Sequence, residues 1–460
     1  MKRLIILGII LYFFYIFLKY FSVKIGLKLL LICLLMLICW TLVQDVQSKY
    51  FVKLRDKNNT YFTLLAQNIG EEKALYYKNI PNQWEILNLD LVQGEDEKNN
   101  QVEILGDQYH TFSYILDEIS KAKHHIHLEY FIVRNDRIGE KLKNLLIEKS
   151  KAGVEVRFIY DGFGSYLIGR KYIRELEEAG VQLSKFSPIS QTFRYFNLNH
   201  RNHRKILLVD GETAVIGGSN IGDEYLGRDK DIGKWRDMDI LIRGDAVKEL
   251  QAVFLRDWYI SKGEVIADRT YFMGKTIIEG GPIKIIAGDP PITEVNSMEH
   301  FYLTTIYNAK DYLYFTTPYL IPPDSILLAL ESVAARGVRI RILISDRSDN
   351  ILGEYATNLY AKKLAQAGIE VYRYMDGFLH SKVVVVDGKV ATIGTPNLDH
   401  RGLRLDYEVL AAVYHKDTVK LIEGFLSKDL EKAHLMKENM KLSFIERLGY
   451  TLVRMIRGIL

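Results

Sequence analysis

Hydrophobic positions along this chain fall into three regimes. Near the N-terminus they are nearly continuous: Leu4 to Leu18 and Leu29 to Val43 are apolar runs, joined by a link carrying Lys19, Lys24 and Lys28. Each run is about 15 residues, against the roughly 20 that a bilayer span needs. Tyr20 and Phe21 extend the first run, Ile25 to Leu27 the second, and lysines at the ends can snorkel to the interface. The expectation is a transmembrane helical hairpin over residues 1–44. A signal peptide and a re-entrant or shallow hairpin are the rival readings. The second run and the lack of a small-residue cleavage site argue against the signal peptide. Lys2, Arg3, Lys49, Lys53, Arg55 and Lys57 would share one side. That charge bias predicts a multi-pass protein of the cell membrane with both hairpin ends and the remaining chain in the cytoplasm.

Residues 45–105 are polar and read as a connector. Beyond them, short apolar strands alternate with amphipathic helices. A helix starts at Gln108, a strand covers Ile126 to Val133, a helix Ile138 to Ala152, and Gly153 precedes a strand at Val154 to Tyr160. The plan returns as a strand at Tyr312 to Thr317, a helix at Asp324 to Ala335, Gly337, and a strand at Val338 to Ile344. AGVEVRFIYD and RGVRIRILIS are visibly related. The β-α-β order predicts an α/β fold of two mixed sheets flanked by helices. The break near Gly280-Gly281-Pro282 divides it into domains at 106–279 and 280–435. Residues 436–460 form a third regime, an amphipathic helix with Leu442, Ile445, Leu448, Leu452, Met455, Ile456 and Ile459 at helical spacing. It reads either as an interfacial membrane helix or as one packed on the protein's own core.

The two domains share a polar pattern. NHRNHRKILLVDGETAVIGGSN contains His203, Lys205, Asp210, Gly217, Gly218, Ser219 and Asn220. LHSKVVVVDGKVATIGTPN contains His380, Lys382, Asp387, Gly394, Thr395 and Asn397. His203 precedes Asn220 by 17 residues, and His380 precedes Asn397 by 17. Repetition without a gap marks an internal repeat whose copies act together. On a strand, residues two apart face the same way, so each His and Lys project together. Asp-Gly then favours a tight hairpin, and small residues on the return strand would let an anion approach the backbone. One copy offers an imidazole, an ammonium and an amide, a set suited to phosphate. Two facing copies place two imidazoles on opposite sides of one phosphorus, one to attack and one to protonate the leaving oxygen. The phosphate-binding candidates are Asn220, Asn397, Ser219 and Thr395. Asp210 and Asp387 are read with the catalytic set, their alternative being plain turn residues.

Composition changes this picture little. The net charge of +4 is compatible with an anionic membrane. The two cysteines, Cys33 and Cys39, lie in one apolar run, which suggests neither a disulfide framework nor a thiolate metal site. His124, His125 and His127 invite a metal reading, but no carboxylate or cysteine set completes one.

With these patterns, AKHHIHLEYFIVRNDRIG, FRYFNLNHRNHRK, WRDMDILIRG, TTPYLIPP and IGTPNLDHRG resemble the bacterial cardiolipin synthases of the phospholipase D superfamily, over about residues 110 to 430. The resemblance implies transfer of a phosphatidyl group between two phosphatidylglycerol molecules, giving cardiolipin and glycerol through a phosphohistidine. It implies His203 as nucleophile, although the symmetry of the repeat gives no preference of its own. It implies that Asp237 and Glu408 each accept a hydrogen bond from a catalytic His, with Asp239 competing for the first role. Gly402 and Asp406 depart from the family pattern, which leaves the pocket's detail open. The implied partners are phosphatidylglycerol and anionic membrane lipid, with no nucleic acid, no cofactor and no metal; the oligomeric state stays open. A lipid hydrolase, a membrane-tethered nuclease and a non-catalytic phospholipid-binding scaffold are the other readings.

Overall fold

The structure is a computed structural model that describes residues 25–78 and 100–458, apart from 196–198, 231, 267, 275–276, 278–279, 291–295 and 437–442. Two sheets carry the fold. The first half supplies β1 (Asn100–Leu105), β2 (His125–Tyr130), β3 (Glu155–Asp161), β4 (Gln182–Phe186), β5 (Ile206–Val209), β6 (Thr213–Gly217), the short β7 (Trp235–Arg236) and β8 (Asp239–Gly244). The second supplies β9 (Ile283–Gly288), β10 (Tyr312–Thr317), β11 (Leu320–Ile321), β12 (Arg339–Ser345), β13 (Glu370–Tyr374), β14 (Phe378–Leu379), β15 (Val383–Val386), β16 (Val390–Gly394), β17 (Leu398–Asp399), β18 (Glu408–Val413) and β19 (Ala433–Leu435).

The spatial order is β1-β8-β6-β5-β2-β3-β4 in the first sheet and β9-β18-β16-β15-β10-β12-β13-β19 in the second. Strand for strand these are one topology, with β19 added at an edge. Parallel pairs (β2 with β3, β10 with β12) meet antiparallel ones (β2 with β5, β10 with β15), so both sheets are mixed. The match makes β1 the counterpart of β9, so the expected connector ends in a sheet strand.

The strand read from Ile126 to Val133 ends at Tyr130. Beyond it the backbone leaves the sheet: Ile132 N–H donates to Asn220 Oδ1 and Val133 bridges to Ile221. The helix at Asp324–Ala335 and β10 fall where the periodicity places them. One apolar cluster runs through both sheets, joining Ile206, Leu208 and Ile240 to Val383, Val385 and Val409. The helix Ala246–Lys262 lies within it, with Leu250, Phe254 and Trp258 fully buried.

The second N-terminal run belongs to one helix, Ile25–Ile69, that continues through Val43 into residues read as connector. Its later turns pack on the body through buried Leu54, Tyr61, Phe62 and Leu65. Among the described residues no helix is long and apolar enough to cross a membrane. The first run, Leu4 to Leu18, lies outside the described residues. The tail helix spans Phe444–Ile456 and opens on a capping box between Ser443 and Glu446.

Candidate active site between the two halves

Each His-Lys pair lies in the extended residues just before its strand, not inside it as the apolar run suggests. His203 N–H donates to Tyr407 O at 3.0 Å, and His380 N–H to Arg236 O at 2.7 Å. Each segment therefore pairs with backbone from the other half. The side chains follow: His203 Nδ1 lies 2.9 Å from Glu408 Oε1, and His380 Nδ1 lies 2.6 Å from Asp237 Oδ2. Neither half holds a complete histidine–carboxylate pair of its own.

Register explains why Asp237 and not Asp239 takes this role. Gly217 pairs with Asp239 across β6 and β8, and Gly394 with Leu410 across β16 and β18. Two residues back from these partners stand Asp237 and Glu408, which makes them the equivalent positions. Asp239 instead accepts from Ser219, through its N–H at 3.2 Å and its hydroxyl.

Four residues read as chemistry are placed elsewhere. Asp210 and Asp387 sit at the far end of β5 and β15 from the imidazoles, with φ of 53° and 50°. Each opens a tight Asp-Gly turn, and each carboxylate accepts three backbone N–H groups. Asp210 takes those of Lys123, His124 and His125, and Asp387 those of Lys310, Asp311 and Tyr312, all at 2.8 to 2.9 Å. They clamp the start of β2 and β10. Ser219 is spent on Asp239 and Gln108. The Thr395 hydroxyl donates to Val409 O and accepts from Val409 N–H.

The small residues also serve a different end. A Cβ on Gly218 would stand 2.2 Å from Asp237 Oδ1, and one on Gly217 2.1 Å from Asp239 Oδ1. The glycines make room for the carboxylate strand, not for a phosphate.

What remains around the imidazoles is compact. Lys205 Nζ donates to His203 O at 2.6 Å; Lys382 Nζ donates to His380 O and lies 2.9 Å from His380 Nδ1. The Asn397 amide is buried, and its Oδ1 has no hydrogen-bond partner. An unsatisfied buried acceptor in a native site calls for a donor from water or a ligand hydroxyl. The Phe131 ring stands edge-on to His203 with centroids 5.1 Å apart, and Trp235 packs on His380 at 4.9 Å. Only 13% of the His203 side chain and 8% of the His380 side chain are exposed.

Burial sets the protonation. Desolvation, reinforced by the neighbouring lysine, holds both imidazoles well below their usual range. It brings Lys205 down to about 7 and Lys382 to about 8, and lifts Glu408 to about 7. The site by itself is thus a crowded set of imidazoles, lysines and carboxylates short of solvent. An anion arriving between the lysines would favour their charged forms.

His125 and His127 share the buried side chain of Gln251, and among the described residues no group of three or more His, Cys, Asp or Glu could hold a metal ion. At Gly402 a Cβ would lie 2.8 Å from Asn397 O, so glycine lets the short helix His400–Arg404 close over Asn397. Asp406 accepts from Arg201 N–H at 3.0 Å and from Arg401, tying the halves together beside His203.

One more feature carries little signal in the sequence. Arg204, between His203 and Lys205, points the other way and is fully buried. It pairs with Asp257 and Asp289, and Arg256 reaches Asp289 at 2.8 Å. An alternating strand must send the middle residue of His-x-Lys inward, and an arginine there needs buried carboxylates.

Comparison with known proteins agrees with this geometry. The family described as cardiolipin synthase, PLD-like domain, matches residues 115–258 and 302–430, more than half of the chain. A cardiolipin synthase of Geobacillus sp. (strain WCH70) is 45% identical over 336 residues, 72% of this chain and 66% of that protein. Cardiolipin synthase 2 of Bacillus anthracis is 44% identical over 327 residues, 70% of this chain and 63% of that one. The chain thus spans just under two thirds of the length of these curated relatives. Among solved structures, phosphatidylserine synthase from Haemophilus influenzae Rd KW20 shares the fold at a TM-score of 0.60 and 16% identity, covering 83% of this chain and all of that one. Fold and site define a phospholipase D-like protein with two half-sites. Within that class, the chain belongs to the cardiolipin synthase family.

Proposed function

We propose that the protein is a phosphatidyltransferase making cardiolipin and glycerol from two phosphatidylglycerol molecules. The observation that carries this reading is the exchange of carboxylates between halves, His203 with Glu408 and His380 with Asp237. It builds one centre with two differently supported imidazoles. His203 Nε2 attacks the phosphorus of the first lipid, and the bond from phosphorus to the headgroup glycerol oxygen breaks. That oxygen takes the proton of His380 Nε2, His380 being an imidazolium once the anionic lipid bound beside it, with Asp237, favours the charged ring. The second lipid's headgroup hydroxyl then gives its proton to His380 and attacks the phosphohistidine. The P–N bond breaks, and His203 is restored. Glu408 and Asp237 hold Nδ1–H and steady each imidazolium as it forms. Lys205, Lys382 and the amides of Asn220 and Asn397 offset charge on the phosphoryl oxygens. Asp210 and Asp387 act only by fixing the strands that precede the site.

His203 is assigned the attack because it is the more exposed imidazole and its Nδ1 meets only a carboxylate, leaving Nε2 its lone pair. His380 has a second lysine contact at Nδ1.

The apolar runs before residue 44 are assigned to membrane attachment, with the catalytic part cytoplasmic. Deleting residues 1–44 should weaken attachment and leave the folded domains intact by circular dichroism.

Purified protein in phosphatidylglycerol vesicles should form cardiolipin and release glycerol, read by mass spectrometry. Phosphatidic acid as sole product would instead identify a hydrolase. DNA cleavage without lipid turnover would identify a nuclease.

A further inference from the structure

The loops that follow β3 and β12 are topological equivalents, and each is wired to a catalytic segment. Asp161, ending β3, accepts the N–H of Asn202, the residue before His203, at 3.1 Å. Ser345, ending β12, accepts the N–H of Leu379, the residue before His380, at 3.0 Å. Gly164 in the first loop lies against Phe131, which in turn touches the His203 ring. In the second loop, Arg347 donates to Ile232 O in the other half. Both loops therefore form the rim of the same site.

The first loop is apolar and open to solvent, and the second, polar from Asp346 to Asn350, leads into an apolar helix start. Phe163, Tyr166 and Leu167 are 48% to 64% exposed, and Ile351 and Leu352 are 85% and 60% exposed. Both segments lie between a parallel strand and the helix that follows it, Asp161 to Arg170 in one half and Ser345 to Ile351 in the other. Exposed large side chains gathered at the equivalent strand-to-helix connection of both halves are not scattered surface residues.

The tail helix extends this rim. Gly449 packs against Tyr355, four residues beyond Ile351, and Tyr450 against Tyr360 at 5.0 Å. Arg454 and Arg457 both bind Asp324 and neutralise it. The opposite stripe, Ile445, Leu448, Leu452 and Met455, stays at least 55% exposed. The helix is thus both packed and apolar outside, because its stripe is wider than its contact. Exposed Arg170, Lys171, Arg347, Arg447 and Arg454 accompany these apolar groups and outnumber the exposed acids Asp349 and Glu354.

We propose that the two loops and the outer face of Phe444–Ile456 form one docking surface for an anionic phospholipid bilayer, seating the mouth of the site in the headgroup layer. An apolar face edged with basic residues fits that partner, since its area enters the headgroup–acyl boundary while its charge meets lipid phosphates. Docking solves an access problem. The imidazoles are nearly buried, and a phosphodiester whose acyl chains stay in the bilayer reaches them only if the mouth itself lies at the interface. The proposal rests on the lipid-transfer reading above.

The test uses the full chain with Cys33→Ser and Cys39→Ser, and a nitroxide at Phe163→Cys, Ile351→Cys or Glu212→Cys. Glu212 is exposed beside Asp210, at the far end of β5 from His203. On phosphatidylglycerol vesicles, nitroxides at 163 and 351 should gain collisions with oxygen and lose those with a water-soluble nickel chelate, while 212 should not change. Leu167→Glu combined with Ile351→Glu should lower turnover on vesicles about tenfold, because binding scales with apolar area inserted. Turnover of dispersed short-chain phosphatidylglycerol should be unaltered. Nitroxides at 163 and 351 as water-accessible as that at 212 would overturn the proposal, as would an equal loss on both substrate forms. If the nitroxides enter the bilayer but the wild type makes no cardiolipin, the docking surface stands and the assigned reaction fails.

Discussion

The two halves repeat one topology and one set of reacting groups, yet they differ in what surrounds them. In the first, His203 meets a glutamate from the partner half, is flanked by Phe131, and is followed by a buried arginine. In the second, His380 meets a shorter aspartate at closer range, packs on Trp235, and is followed by Ser381. Constant spacing from His to Asn reflects a shared hairpin. Divergence lies in the residues that cross between halves. In the proposed reaction, loss of symmetry at these supports lets one imidazole attack while the other handles protons.

The crossing carboxylates should separate the halves most strongly. Glu408→Gln and Asp237→Asn should each lower kcat roughly 100- to 10,000-fold, the range of acid–base assistance. Glu408→Gln should slow formation of the covalent species; Asp237→Asn should slow both departure of glycerol and activation of the second lipid. Single-turnover kinetics separates these steps, and identical effects on all of them would contradict the division of labour.

Arg204→Ser, which copies Ser381 into the first half, should cost about 3–5 kcal/mol by leaving the buried Asp257 and Asp289 to share one remaining arginine, Arg256. Denaturant unfolding reads this directly. Asp257→Asn in the same protein should return part of the loss, since Asp289 then keeps Arg256 and the uncompensated carboxylate is gone.

Asp210→Ala and Asp387→Ala probe what the halves have in common. Each removes an acceptor shared by three N–H groups, so each should lose about 1–3 kcal/mol of stability. The kcat of the folded fraction should stay near wild type. A collapse in kcat at unchanged stability would return these carboxylates to the chemistry.

The smallest effect is a proton count. At pH 8, Lys205, brought down to about 7, is mostly neutral until an anion binds. A bound phosphodiester pushes its pKa back towards 10.5, so binding should take up protons at pH 8. Uptake should diminish at pH 6, where the lysine is already charged. Calorimetry of a dialkyl phosphate in two buffers of different ionisation enthalpy gives the count.

Much of this arrangement is legible in the amino-acid sequence. The repeat, the strand–turn–strand unit and the mixed α/β architecture follow from Ile206 to Val209, Val383 to Val386, and the Asp-Gly turns. The crossing of Asp237 and Glu408 is not, because which half an acid serves depends on packing between sheets. Nor is the true work of Gly217 and Gly218: small residues admit any close neighbour, and here it is a carboxylate strand. Ser219 and Thr395 carry the hydroxyls of a phosphate site, but a nearer acceptor claims each. The N-terminal apolar pattern holds no sign that its second run continues as one helix to Ile69, since polar residues after Val43 are as compatible with an exposed helix as with a loop.

The proposed mechanism turns on which imidazole becomes phosphorylated. Wild type, His203→Ala and His380→Ala proteins are mixed with phosphate-labelled phosphatidylglycerol and quenched rapidly under conditions that preserve phosphohistidine. The label is then mapped to a peptide. The expected result is label on His203 in wild type, slower labelling of His203 in His380→Ala, and none in His203→Ala, with steady-state turnover lost in both variants. Label on His380, or turnover in wild type with neither residue labelled, would contradict it.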